Sequence, residues 1–251
     1  MLLAPSFGHE HGNDERYYRF LPNQGQWEHA IRYKAKINSG ALFLLEDSWV
    51  FHFQDNSVLL KAHLGEPVKP EDDRIFGQSY KVKFIGAKTK GFEQKEKGEE
   101  YYNFFLGNDK DKWASKVFPY KHITYNNIYQ GIDLRLYSKD EQLKYDWIIA
   151  PGSDPSLIVQ EYEGVEKIRI TTIGDLEIKT TVGTVIEKAP KAFQIIRGKK
   201  VEVPCRFTLK GKQLSYEFPN GYDRSFELII DPVLVFGSYT GSTADNFGMT
   251  A

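Results

Sequence analysis

The stretch 131–152, GIDLRLYSKDEQLKYDWIIAPG, decides the fold class because it has the pattern of a β-hairpin. Apolar and charged residues alternate in 132–136, and apolar residues return at every second position in 143–149. A period of two places the apolar side chains on one face of an extended strand. The dipeptide Lys139-Asp140 separates the two runs and provides the turn. The stretch therefore predicts two antiparallel strands that each bury one face.

Strand patterns continue on the N-terminal side of this hairpin, where alternating or apolar runs are separated by short polar turns. These runs are 31–37, 41–46, 49–54, 57–64 and 79–87. The segment that follows, 88–100, contains four lysines and four glutamates. Such a mixture of charges predicts a solvated loop or an exposed edge.

On the C-terminal side, the loop PGSDPS (151–156) is followed by strand-like segments with glycine-containing turns between them. Their spacing and alternation are typical of β-sandwiches and open β-sheets. Helical periodicity is nearly absent, and only 111–117 predicts a single turn or a short helix. The last sixteen residues change to a Gly/Ser/Thr-rich composition after Asp231-Pro232 and begin another unit.

These patterns predict an all-β fold of antiparallel sheets, β-sandwich-like, with two packed lobes and little or no helix. We expect an N-terminal tail over 1–16, a first β lobe over 17–150 and a second lobe, the meander, over 151–235. Residues 236–251 then begin a further, truncated unit.

Composition narrows the classes of partner. The net charge is −1, with neither a basic excess nor a basic stripe, so we expect no nucleic-acid partner. No run of 18 apolar residues exists, so we expect no membrane insertion by a helix. The single cysteine, Cys205, allows no intrachain disulfide and is interpreted as a small buried hydrophobic residue.

Two segments contain side chains that bind metals in other proteins. Asn108, Asp109 and Asp111 resemble an oxygen-rich calcium loop, although the bidentate glutamate of an EF-hand is missing; the alternative is a turn or a helix cap. In the segment 9–11, His-Glu-His, a strand would place both imidazoles on one face, but a mobile tail is the alternative. Calcium is therefore the only candidate cofactor, and otherwise we expect none.

Aromatic residues are the one feature of the sequence that points to a function, which is ligand binding. They could form a stacking platform for sugars or peptides, and packing in the core is the alternative. The candidate ligand-binding residues are Trp27, Trp49, Tyr101, Tyr102 and Trp113. In the run 101–105, YYNFF, the apolar positions alternate poorly, so some of these rings should be partly exposed.

Motifs of catalysis are missing. The sequence has no GxSxG elbow, no phosphate-binding loop and no GxGxxG, so no catalytic residue is predicted. Adjacent carboxylates occur at 72–73, 99–100 and 140–141, and two carboxyls facing each other in a cleft would suit glycoside hydrolysis. A carbohydrate-active hydrolase is therefore the alternative function.

Several longer segments resemble a known family. They are FLPNQGQWEHAIRYKAKINSGALFLLED, YNFFLGNDKDKWASKV, NIYQGIDLRLYSKDEQLKYDWIIAPGSDP, GDLEIKTTVGTVIEKAPKAFQ and LIIDPVLVFGSYTGSTADN. Together they resemble an uncharacterised domain at the N-terminus of large exported proteins of Bacteroidota. Those proteins continue into SBBP-type β-propeller repeats, and many end in a gliding-motility-associated, type IX secretion sorting domain.

The resemblance implies export, a place in the extracellular space or at the cell surface, and a non-catalytic accessory or adhesive role. We therefore expect a binding or spacing role. It also implies that 236–251 begins the first propeller repeat. The partners that we expect are a surface glycan, another protein or the following propeller. It also implies structural roles for Asn23, Gly25 and Trp27, as a turn with an anchoring indole. A purely structural cap on the propeller is a further alternative.

Overall fold

The computed structural model describes residues 18–37, 40–55, 76–105, 107–139 and 142–236. Some features of the sequence lie outside these ranges. They are the tail 1–16 with its His-Glu-His segment, the strand-like run 57–64, the carboxylate pairs at 72–73 and 140–141, and the segment after residue 236.

The described residues form twenty-one β-strands and two single 3-10 turns. The first eleven strands are β1 (Phe20–Pro22), β2 (Tyr33–Ile37), β3 (Gly40–Leu44), β4 (Ser48–Gln54), β5 (Gly77–Phe84), β6 (Phe92–Lys97), β7 (Tyr102–Phe104), β8 (Ala114–Val117), β9 (Tyr120–Tyr129), β10 (Ile132–Lys139) and β11 (Gln142–Ile149). The other ten are β12 (Gln160–Glu163), β13 (Lys167–Ile170), β14 (Leu176–Thr180), β15 (Gly183–Glu187), β16 (Lys191–Ile196), β17 (Lys199–Val203), β18 (Arg206–Lys210), β19 (Gln213–Glu217), β20 (Leu228–Asp231) and β21 (Val233–Phe236). The 3-10 turns are Lys110–Lys112 and Pro155–Leu157.

The predicted hairpin is confirmed as β10 and β11, which pair antiparallel from Ile132↔Ile149 to Lys139↔Gln142. Every second residue of β10 is buried, as the alternation predicts. Of the two alternatives predicted for 111–117, the structure has a single turn and no longer helix there, because the 3-10 turn ends at Lys112 and β8 begins at Ala114. The charged segment 88–100 contains the exposed strand β6, which pairs with β9 and so fits the predicted edge.

All the pairings are antiparallel, and nineteen of the strands belong to one large, nearly closed sheet. Strands β1 to β5 pair in sequence, β5 pairs with β12, and β11 pairs with both β20 and β21. Strands from before and after residue 151 are thus hydrogen-bonded neighbours. The all-β, antiparallel fold is confirmed, but the division into two packed lobes is not.

Aromatic side chains fill the space between the two halves of this sheet. Trp49 of β4 lies 5.2 Å from Tyr145 of β11, edge to face, and Phe84 of β5 lies 5.7 Å from Trp147 of β11. Large rings meeting across facing strands form a core like that of a β-sandwich. The core therefore lies between the β4–β5 face and the β11 face.

Candidate functional site

Strands β7 and β8 form a separate two-stranded sheet. Tyr102 pairs with Val117 and Phe104 with Ala114, with an irregularity between the two pairs. Ala114 and Val117 are buried, so one side of β8 is packed against the rest of the molecule. An isolated two-stranded hairpin is marginally stable in water, so contacts outside the hairpin must hold it in place.

The loop 23–31 provides such contacts and is itself organised by Asn23. The Asn23 Oδ1 atom accepts hydrogen bonds from the backbone N–H groups of Gly25 (3.0 Å) and Trp27 (3.2 Å). Its Nδ2 atom lies within 3.2 Å of the carbonyl oxygens of Trp27, Glu28 and Ile31. One side chain thus holds both ends of the turn, which agrees with the structural role implied by the resemblance.

The loop and the hairpin meet at two points. The Trp27 indole lies 5.3 Å from the Phe104 ring, edge to face. Gly25 has a φ of +109°, and a Cβ atom there would lie 3.2 Å from the carbonyl oxygen of Asp111. A side chain at position 25 would therefore be strained and crowded, so glycine permits the close approach of the loop to the 3-10 turn.

The hairpin exposes several aromatic rings. Phe105 is 55% exposed, Tyr101 50%, Tyr102 41% and Trp113 37%. Phe105 and Trp113 contact each other edge to face at 5.7 Å, and Tyr101 lies 5.7 Å from Phe118. We call residues 101–105 and 107–118 together with Trp27 the aromatic hairpin. It is the densest group of exposed large apolar side chains in the described part of the chain.

Lysine side chains lie beside these rings. The Nζ atom of Lys97 is 3.7 Å from the centre of the Phe118 ring, and that of Lys110 is 5.9 Å from the Trp113 ring. Lys34 lies 5.6 Å from the Trp27 ring. Ammonium groups over aromatic faces make favourable cation–π contacts, so the aromatic hairpin combines stacking surfaces with positive charge.

The structure brings together four of the five candidate ligand-binding residues, Trp27, Tyr101, Tyr102 and Trp113. Trp49 is the exception, because it is 1% exposed and packs in the core. Its Nε1 donates to the Tyr125 hydroxyl at 3.2 Å, so the polar edge of the indole is satisfied internally. The interpretation of Trp49 as a ligand-binding residue is therefore wrong. The exposed ring of Phe105 belongs to the site instead.

The calcium candidates lie at the tip of the same hairpin. Asp109 caps the 3-10 turn, since its Oδ1 accepts from the backbone N–H of Asp111 at 3.1 Å. This is the cap that the sequence offered as the alternative. Asn108 and Asp111 are exposed. No group of three or more His, Cys, Asp or Glu side chains that could hold a metal occurs among the residues that the structure describes.

The outer face of β11 and β20 holds a pair of carboxylates. Their register, with Trp147↔Ile230, places Asp146 directly opposite Asp231. Arg135 forms an ion pair with Asp146, and the Tyr137 hydroxyl donates to it at 3.1 Å. Burial raises the pKa of Asp146, and Arg135 opposes that effect.

A second buried carboxylate, Glu187 of β15, lies in the core. It accepts hydrogen bonds from the hydroxyls of Tyr145 and Tyr162. Burial raises its pKa to about 7, although both tyrosine hydrogen bonds lower it. Burial likewise raises the pKa of the Cys205 thiol to about 12, so this cysteine stays protonated and is a poor nucleophile at neutral pH.

A shallow cleft of about 520 Å³ opens beside the loop 23–31. Its lining carries charges of both signs, from Arg32, Lys88, Glu46 and Asp47. Arg32 is already paired with Glu46 at 2.5 Å. The cleft therefore has no net charge preference.

Fold and site together define an antiparallel β domain that carries a hairpin with four exposed aromatic rings. The chain belongs to the family described as Domain of unknown function (DUF7948), whose model matches residues 20–233. The searches for similar curated proteins and for similar solved structures found no match. Among the described residues, no helix has the length and apolar character needed to cross a membrane.

Proposed function

We propose that this chain is a non-catalytic binding module of a larger exported protein and that the aromatic hairpin contacts the ligand. One observation carries the proposal: Tyr101, Phe105 and Trp113 expose about half or a third of their surface on one small hairpin. Exposed apolar clusters on soluble proteins mark interaction sites. Aromatic anchors also dominate the energy of binding at such sites.

A glycan is the ligand that this surface suits best. Sugar rings present C–H faces that stack on aromatic side chains, and their hydroxyls need hydrogen-bonding groups nearby. Asn103 and the lysines at 110 and 116 lie on the same hairpin as the rings. A protein ligand is the other outcome that the experiment below distinguishes.

The alternative, a carbohydrate-active hydrolase, has one observation in its favour. The register places Asp146 opposite Asp231. Glycosidases use two neighbouring carboxyl groups as the acid and the base or nucleophile of hydrolysis. However, the Asp146 side chain is 4% exposed and paired with Arg135, so a substrate could not reach it without breaking the ion pair. The binding module is therefore the better proposal.

The cellular setting is proposed from the resemblance to exported Bacteroidota proteins. In that setting the module would lie outside the cell or at its surface, before an SBBP-type propeller, and it would present its hairpin to glycans or to another protein. We propose that the module works without a cofactor; calcium at Asn108, Asp109 and Asp111 is the alternative, although Asp109 Oδ1 already accepts from the backbone N–H of Asp111.

The test is a screen of the chain against a glycan array, with a pulldown from surface extracts in parallel. The double variant Phe105→Ala/Trp113→Ala removes the exposed pair, and we expect at least about a tenfold loss of affinity, equivalent to about 1.4 kcal/mol. The matched control is Ile195→Ala, which removes a 51%-exposed apolar side chain on β16.

Equal binding by the double variant and the parent chain would overturn the assignment of the site. Glycan hydrolysis that is lost in Asp146→Asn and Asp231→Asn would instead support the hydrolase. Selective capture of one protein, with no glycan bound, would show that the chain is a binding module whose ligand is a protein and not a glycan.

A further inference from the structure

A buried amide in the core has an unpaired atom. Gln160 of β12 is 1% exposed, and its Oε1 accepts a hydrogen bond from the Tyr216 hydroxyl at 3.1 Å. Its Nε2 atom is buried and has no hydrogen-bond partner in the described part of the chain. Unpaired buried donors are rare in folded proteins because each one costs free energy.

Gln160 and Glu187 line the same small cavity in the core. The remaining lining is largely apolar or aromatic and includes Trp49, Phe51, Tyr80 and Val82. The cavity measures about 10 Å³, which is close to the smallest volume that holds one water molecule. Any occupant larger than a single water or a monatomic ion is therefore excluded by size.

No hydrogen bond among the described residues around the cavity reaches the Gln160 Nε2 atom. The single hydrogen of Tyr145 goes to Glu187, and the Tyr216 oxygen accepts from Trp147 Nε1 at 3.1 Å. The hydroxyls of Tyr145 and Tyr216 are 3.2 Å apart. Glu187 accepts two hydrogen bonds from tyrosines, whereas a carboxylate can accept about four. The hydrogen-bonding capacity left at the cavity therefore includes the Nε2 atom of Gln160 and the remaining lone pairs of the Glu187 carboxylate.

Whether the nitrogen or the oxygen of the Gln160 amide faces the cavity does not change the need for a hydrogen-bond partner there. The O and N atoms of a glutamine side chain are assigned from the hydrogen bonds they make. If the amide of Gln160 were turned over, an acceptor would face the cavity in place of a donor. Water both donates and accepts, so it satisfies Gln160 in either orientation, whereas a cation would satisfy only the turned one.

We propose that this cavity binds one internal water molecule, which bridges the Gln160 amide and the Glu187 carboxylate. The water would accept from Nε2 and donate to a carboxylate oxygen, which gives it the two polar partners that a buried water requires. It would complete a hydrogen-bonded network that links β11, β12, β15 and β19 through the core.

The test is a crystal structure of the chain at a resolution that shows ordered water, together with that of Gln160→Met. Methionine has a similar volume and lacks both polar atoms. We expect a density peak about 3 Å from both side chains in the parent chain and no peak in the variant. A parent cavity without density, or a peak that persists in Gln160→Met, would overturn the proposal.

Two measurements keep the proposal testable if the variant does not fold. Crystals of the parent chain grown with rubidium should show no anomalous peak in the cavity. A peak there would show that the cavity binds a monovalent cation and would overturn the proposal of a water molecule. Magnetic relaxation dispersion of water in solution should detect a long-lived internal molecule. Its absence would also overturn the proposal.

Discussion

The Trp27 indole meets the Phe104 ring edge to face at a centroid distance of 5.3 Å, and this contact joins the loop 23–31 to the aromatic hairpin. Within the part of the chain that the structure describes, the hairpin shares no strand pairing with the large sheet, so side-chain contacts such as this one hold it in position. Loss of the Trp27–Phe104 contact should therefore loosen the hairpin while the large sheet stays folded.

Phe104→Ala should release the hairpin without unfolding the sheet. An aromatic pair contributes about 0.5–1.5 kcal/mol beyond its buried area, which is enough to shift the local opening of a marginal hairpin. We expect faster amide hydrogen exchange across 102–117, with unchanged exchange in β10 and β11. Trp113→Ala, at the solvent-exposed end of the hairpin, is the control, and equal acceleration in both variants would contradict a specific role for the Trp27–Phe104 contact.

The loop itself should depend on Asn23. The Asn23 side chain lies within hydrogen-bond distance of two backbone N–H groups and three carbonyl oxygens. We expect Asn23→Ala to lower the free energy of unfolding by about 1–3 kcal/mol, the cost of leaving partly buried groups unpaired. Asn23→Asp should not rescue the loop, because a carboxylate keeps the acceptor and loses the donor.

Chemical denaturation of both variants measures the effect. The neighbouring exposed residue provides the control, since Gln24→Ala removes a side chain without a described hydrogen bond and should change stability little. Full stability of Asn23→Asp would show that the three carbonyl contacts contribute nothing.

Two tryptophans, Trp49 and Trp113, show which parts of the fold and of the candidate site the sequence can predict. Trp49 begins the alternating run WVFHFQ, in which positions 49, 51 and 53 share one face, and that apolar face indicates the core. Trp113 follows Asp111 and Lys112 and belongs to no alternating apolar run, which indicates exposure. Local alternation therefore predicts the strands and could have separated these two residues. The pairings β5–β12 and β11–β20 were not predictable, because nothing local to a strand specifies a partner far along the chain.

The two tryptophans should respond differently to truncation. Trp49→Ala leaves a large cavity in the core and should cost about 3–5 kcal/mol. Trp113→Ala, on the surface, should cost no more than about 1 kcal/mol. Denaturant midpoints with unchanged slopes would measure both, and a similar loss in the two variants would contradict the placement of Trp49 in the core and Trp113 in the hairpin surface.

Stability should also fall as the pH rises, because of Glu187. Its ordinary pKa is 4.5, and burial raises the value in the folded chain to about 7. Below pH 4.5 both states hold the proton, so the stabilising effect of the protonated form is fully present. Between these two values the folded chain holds a proton that the unfolded chain has lost, and stability decreases by about 1.4 kcal/mol per pH unit.

Above about pH 7 the loss is complete and this contribution levels off. Glu187→Gln removes the titrating group, so its stability should vary less over pH 4.5–7 than that of the parent chain. Glu177→Gln is the control, because Arg169 holds the pKa of that exposed carboxyl below its ordinary value and its effect has the opposite sign. Denaturation curves at successive pH values measure all three proteins. An identical pH dependence in the parent chain and in Glu187→Gln would mean that Glu187 already ionises in the folded state well below neutral pH.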